Sequence, residues 1–98
     1  MERIIKMVIE IEEQNLREPF MKLFENKSHY FFQHNGLGDI GNIFKRPDKW
    51  YKMPIQLTKH IYIYKDWISM KVMKEHLTEV QNILIDLSSD IKVRIEVF

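Results

Sequence analysis

Apolar and polar residues alternate at both ends of the chain. Between Arg3 and Glu12, Ile5, Met7, Ile9 and Ile11 take one side. Lys6, Glu10 and Glu12 take the other, joined by Ile4 and Val8. A period of two is the signature of a half-buried strand. Ile91 to Phe98 repeats it, with Ile91, Val93, Ile95 and Val97 set against Lys92, Arg94, Glu96 and Phe98. Tyr30 to His34 reads as another strand, dense in aromatics and stopped by Asn35-Gly36. The period of two returns at Ile55, with Ile55, Leu57, Ile61 and Ile63 facing one way and Gln56, Thr58, His60, Tyr62 and Tyr64 the other.

Two stretches carry a helical period instead. Phe20, Leu23 and Phe24 form a short stripe that ends by Lys27. Pro19 before it suits a first helical position, where its missing N–H has no partner to lose. So short a helix depends on packing against a sheet. From Met73 to Ser88 the stripe is longer: Met73, Leu77, Val80, Leu84 and Leu87 step by four and three, with Ile83 beside them. This face is expected to pack on Ile5, Ile9, Val93 and Ile95, with Ile85 on the far side.

The residues between Tyr64 and Met73 admit two readings. A helix starting near Asp66 would put Ser69 in the apolar stripe and leave Trp67 and Ile68 outside it. A tight turn at Lys65-Asp66 into a strand puts Ile68, Met70 and Val72 inward. The hairpin is preferred, although Lys-Asp is not among the favoured two-residue turn sequences.

The order is thus strand, helix, strand, a long connection, then strands, helix, strand. Strands with one apolar face need a covering layer on that face. The expected fold is α+β: a two-layer sandwich, with a mostly antiparallel sheet of four or five strands and two helices on one face, ferredoxin-like or a variant of it. Residues 1–98 are read as a single domain with a long irregular connection at 35–54.

That connection holds all three glycines and two of the three prolines, Pro47 and Pro54. Gly36-x-Gly38-x-x-Gly41 matches the dinucleotide fingerprint in letters. The fingerprint also needs a helix opening at the loop, so that its amides meet a pyrophosphate. Pro47 arrives after barely one turn. A P-loop would need lysine and serine or threonine where Asn42 and Ile43 stand. The glycines therefore read as a turn.

Composition narrows the class. Apolar residues make up 45% and charged residues 30%, which suits a folded domain. A net charge of +1 supplies no global field for nucleic acid. With no cysteine there is no disulfide, thiolate catalysis or cysteine–zinc site. Apolar runs are too short to cross a membrane, so no membrane partner and a cytoplasmic location are expected. Alanine is absent while isoleucine and lysine abound, as in an AT-rich bacterial or phage genome.

Candidate chemistry concentrates in two places. Phe44, Lys45, Arg46, Lys49, Trp50, Tyr51 and Lys52 interleave basic and aromatic residues within the connection. Such a loop suits phosphates with stacking bases, or an acidic protein, since Trp and Arg are enriched at interface hot spots. His60, Tyr62 and Tyr64 line the helix-free sheet face, with Lys6, Lys92, Arg94 and Phe98 as neighbours. Basic-aromatic sheet faces hold single-stranded RNA in RRM domains, but no RNP1-like segment occurs here. The same face also suits self-association. His29 and His34 point to opposite faces of a strand, and a metal site would need His34 with Asp39 or Asp48. An acid–base nuclease using His34 with Lys45 or Arg46 rests on residue types alone.

The leading expectation is a small non-enzymatic regulator or inhibitor that binds a protein partner, acidic in character, through the 36–54 loop. A single-stranded nucleic-acid binder using the loop and open sheet face comes second. A metal-independent nuclease comes third. No catalytic residue, cofactor or metal is assigned.

Overall fold

The computed structural model describes residues 4–10, 15–35, 40–87 and 92–97. In chain order the elements are β1 (Ile4–Glu10), α1 (Arg17–Lys22), β2 (Tyr30–His34), β3 (Ile40–Lys45), β4 (Ile55–Gln56), β5 (Thr58–Ile63), β6 (Trp67–Met73), α2 (Leu77–Leu84) and β7 (Lys92–Val97). A 3-10 turn at Lys74–His76 leads into α2. All seven strands join one sheet in the order β2-β3-β5-β6-β1-β7, with β4 paired to β3. Every pairing is antiparallel.

The expected two-helix α+β sandwich of four or five strands is therefore overturned. The molecule is mostly a seven-stranded antiparallel sheet, with one helix of two turns and one shorter still. The difference arises within the 35–54 segment, which is not irregular throughout. β3 and β4 both fall at or beside it, and β3 was hidden because Gly41 occupies one of its inward positions without a side chain. The helical stripe from Met73 is also shorter than expected. Met73 belongs to β6, and the first turn after it winds as 3-10. Pro19 is the third residue of α1, still in the first turn where its lost N–H costs nothing. Asn15 Oδ1 accepts the Arg17 N–H there at 3.0 Å.

The hairpin reading of 64–73 is correct. Tyr64 N–H donates to the Trp67 carbonyl at 2.8 Å, and Ile68, Met70 and Val72 are buried. Across the sheet Met7 faces Met70, Ile9 faces Ile68 and Ile5 faces Val72. This row forms the core with Ile43, Leu57, Ile61 and Ile63. Leu16, Phe20 and Leu23 around α1, and Val80, Ile83 and Leu84 of α2, pack onto it. Ile85 is exposed, as its place on the helix predicts.

Val93 and Ile95 depart from the expected core. They stand directly opposite Ile9 and Met7, on the inward face, yet are 48% and 40% exposed. The helices lie over the other half of the sheet. Phe20 meets the Phe32 ring of β2 edge-on at 5.5 Å. Glu79 of α2 bonds to Tyr30 in β2 and Lys45 in β3. β7, the last strand on the far side, is left partly uncovered.

β5 is joined to its neighbours by an irregularity. Thr58 pairs with Val72 and Ile61 with Met70, so β5 carries one extra residue between them. The extra residue turns Thr58 inward, against the simple alternation, and it is fully buried. Its hydroxyl accepts the Ile43 N–H at 3.0 Å and donates to Asn42 Oδ1 at 3.2 Å. A side chain thus completes a ladder that the backbone leaves open. Thr58→Val keeps the shape but strands a buried N–H, so it should cost about 1–3 kcal/mol by denaturant unfolding, whereas Thr58→Ser should recover most of that.

Candidate functional site

The segment between β3 and β4 closes as a hairpin. Lys45 pairs with Ile55 and Phe44 with Gln56, leaving residues 46–54 as its loop. Arg46 fastens the base of this loop. Its N–H donates to the His29 carbonyl at 2.7 Å. Its guanidinium donates to the carbonyls of Ser28 and Tyr30 at 3.1 and 3.2 Å and lies 4.9 Å from the centre of the Phe31 ring. Phe31 stacks in turn on Phe44, with centroids 5.5 Å apart. At the far end, Lys52 N–H donates to the Lys49 carbonyl at 3.1 Å. Trp50 and Tyr51 are the two central residues of that turn.

The tip is apolar and uncovered. Trp50 is 94% exposed, Met53 83% and Tyr51 66%. The two rings meet edge to face at 5.8 Å. Lys49 and Lys52 flank them, and Lys52 makes an exposed ion pair with Asp48 at 3.4 Å. An exposed pair of this kind contributes little and leaves the lysine available to another anion.

The predicted loop residues thus divide into two groups. Lys49, Trp50, Tyr51 and Lys52 form the tip. Phe44, Lys45 and Arg46 form its foundation and are committed to their own chain. Lys45 Nζ lies 2.9 Å from Glu79 Oε2, and the Tyr30 hydroxyl donates to the same oxygen at 2.7 Å. Sequence reasoning missed Glu79, Met53 and Ile55. Met53 and Ile55 carry apolar side chains beside the basic run, and that was the available signal.

Glu79 is the electrostatic node beneath the loop. Burial raises its pKa, but the hydrogen bonds from Tyr30 and Lys45, with the charges of Lys45 and His76, outweigh this and hold it below the usual 4.5. Burial first, then the bond to the Glu79 carboxylate and its charge, push the Tyr30 hydroxyl up to about 12.

His60, Tyr62 and Tyr64 lie on the open sheet face as expected, all exposed. His60 and Tyr62 have ring centroids 6.4 Å apart, while Tyr64 stacks on Trp67 at 3.8 Å. Tyr62, Ser69, Val8 and Arg94 make one row across four strands. Arg94 Nη2 is bound to Glu10 at 2.7 Å, and Glu96 lies opposite Lys6, so acidic groups interrupt the basic surface.

Two of the alternative chemistries lose their geometry. Register places Tyr30 opposite Lys45 and His34 opposite Gly41, so His34 and Lys45 stand four positions apart, roughly 13 Å at the ordinary rise of a strand. Arg46 is bound to backbone carbonyls, and the structure does not bring His34 together with Lys45. Gly41 lies inside β3, and no helix opens after it. A Cβ there would collide with the Phe32 ring and with the Gln33 carbonyl oxygen. Gly41 serves packing, and Gly36 and Gly38 lie outside the described residues. Among the described residues no group of three or more His, Asp or Glu could hold a metal ion, and no helix is long and apolar enough to cross a membrane. Comparison with known protein families, characterised proteins and solved structures finds no match to this chain.

Two outcomes follow. Gly41→Ala should cost about 1–3 kcal/mol in unfolding free energy, because both neighbours of the added methyl must move. The Glu79 contribution should be fully present above pH 4.5 and fade as pH falls through the lowered folded value, because the folded state holds the carboxylate ionised. Glu79→Gln should cost about 1–2 kcal/mol at neutral pH and flatten the acid limb of the stability curve. An unchanged acid limb would remove Glu79 from this role.

Proposed function

We propose that this protein is a non-enzymatic interaction module that docks on a protein partner through the tip of the β3–β4 hairpin. The observation that carries this reading is Trp50, 94% exposed at the centre of a defined turn. A solvated indole contributes nothing to folding, whereas Trp is among the residues that dominate interfaces when inserted into a pocket. Tyr51, Met53 and Ile55 enlarge the apolar patch around it. Lys49 and Lys52 at its rim favour a partner whose pocket is ringed by acidic groups.

The anchoring of Arg46 and Phe44 supports the same reading, because a pre-ordered loop loses less conformational freedom on binding. A second reading, single-stranded nucleic acid along the open sheet face, draws on exposed His60, Tyr62 and Tyr64. Glu10 and Glu96 on that face weigh against it.

Affinity capture after nuclease treatment, read by mass spectrometry, compares the native chain with two variants. Lys49→Glu/Lys52→Glu should fold with nearly native stability, since surface changes are typically within about 0.5 kcal/mol each. It should lower partner affinity at least tenfold, about 1.4 kcal/mol, mainly through slower association. Trp50→Ala should instead hasten dissociation. A captured protein that both variants retain equally would refute the reading. Steeply salt-dependent binding of a single-stranded oligonucleotide, lost in Tyr62→Ala/Tyr64→Ala, would favour the sheet face instead.

A further inference from the structure

The two edges of the sheet are treated differently. On β2, Phe32 is covered by Phe20 and Phe24, and the Arg46 guanidinium takes up the carbonyls of Ser28 and Tyr30. β7 has no such cover. Its outer side pairs with no other strand among the described residues. Lys92–Val97 runs six residues in unbroken register with β1, without proline, glycine or bulge. Its inward positions carry no charge, and the two whose side chains are described, Val93 and Ile95, are both close to half exposed. Natural edge strands that stay single are usually short, bulged, covered or charged, by lysine above all or on the inward face. β7 instead carries charges of both signs, Lys92, Arg94 and Glu96, on the outward face alone.

We propose that β7 is a self-association edge, at which a second copy of this chain adds its own β7 antiparallel and continues the sheet. This surface is separate from the hairpin tip and stands or falls independently of it. The two-fold axis of such a dimer is perpendicular to the sheet, and directly opposed residues lie on the same face. Only registers centred on a residue are then allowed. Centring on residue 94 sets Lys92 against Glu96 twice but Arg94 against itself, centring on residue 93 sets Lys92 against Arg94 twice, and centring on residue 96 sets Glu96 against itself. Centring on residue 95 sets Arg94 against Glu96 of the second copy, twice, and Ile95 against itself. Opposite charges facing across strands stabilise and like charges do the reverse, so the charge pattern selects the register centred on residue 95. The existing bond from Arg94 to Glu10 uses one of five guanidinium N–H donors, leaving others for a second carboxylate. On the inward face Val93 and Ile95 gain the cover that the helices do not give them.

The chain has no cysteine, which allows a clean register test. In the chosen register, residue 95 faces its counterpart with Cβ atoms about 5 Å apart, close to disulfide range. Ile95→Cys should therefore cross-link two chains under mild oxidation. Val93→Cys should not, because its counterpart lies roughly 13 Å away along the strands. In sedimentation, the native chain should dimerise with rising concentration. Arg94→Glu alone and Glu96→Arg alone should each weaken the dimer at least about tenfold. An equimolar mixture of the two should regain it as a heterodimer, because every opposed pair is again of opposite sign. Glu96→Arg leaves the Glu10 bond intact, so its loss of dimer is free of that effect. A native chain monomeric up to about 1 mM, equal cross-linking at both positions, or a mixture that stays monomeric would each overturn the proposal.

Discussion

The hairpin with the exposed tip joins the rest of the sheet through a short seam. Among the described residues, β3 pairs with β5 at Ile40 with Tyr62 and at Gly41 with Ile61. Beyond that, the extra residue in β5 carries the two backbones out of register. Thr58 spans the gap with its hydroxyl, and Leu57 N–H reaches the Ile43 carbonyl at 3.0 Å. Everything on the far side depends on this seam: β2, β4, the Arg46 clamp and the turn that presents Trp50. A buried polar bridge is a costly element unless every partner is satisfied. Here it is satisfied, and no buried side-chain nitrogen or oxygen among the described residues lacks a partner.

A second support lies at the surface end of the same ribbon. Glu79 reaches from α2 to Tyr30 in β2 and Lys45 in β3, fixing the helix to the two strands that carry the loop. The helices consequently sit toward the β2 side of the sheet. Cover for the loop-bearing half leaves β7 bare on the other. One bias in helix placement thus explains both a well-founded hairpin and an uncovered edge.

Strands whose side chains alternate cleanly were legible in the sequence, as β1, β2, β6 and β7 demonstrate. The hairpin at 64–73 could be inferred because Ser69 would have broken a helical stripe. β3 was not legible, since Gly41 and Asn42 interrupt its pattern for reasons visible only in three dimensions. Gly41 makes room for the Phe32 ring, and Asn42 partners the Thr58 hydroxyl. Helix placement was equally hidden, because a strand's apolar face does not say which part of it a helix covers. For the loop, the sequence identified the basic-aromatic composition. It could not separate Lys45 and Arg46, turned back onto their own chain, from Lys49 and Trp50, which face solvent.

Trp50 stands 94% exposed, and the proposed docking depends on that exposure. Acrylamide quenching and emission of the Trp67→Phe variant report on Trp50 alone, since the chain has two tryptophans. Emission like that of tryptophan in water and quenching close to that of a free indole are expected. Blue-shifted emission with slow quenching would mean that Trp50 packs on its own chain and is not free to anchor a partner.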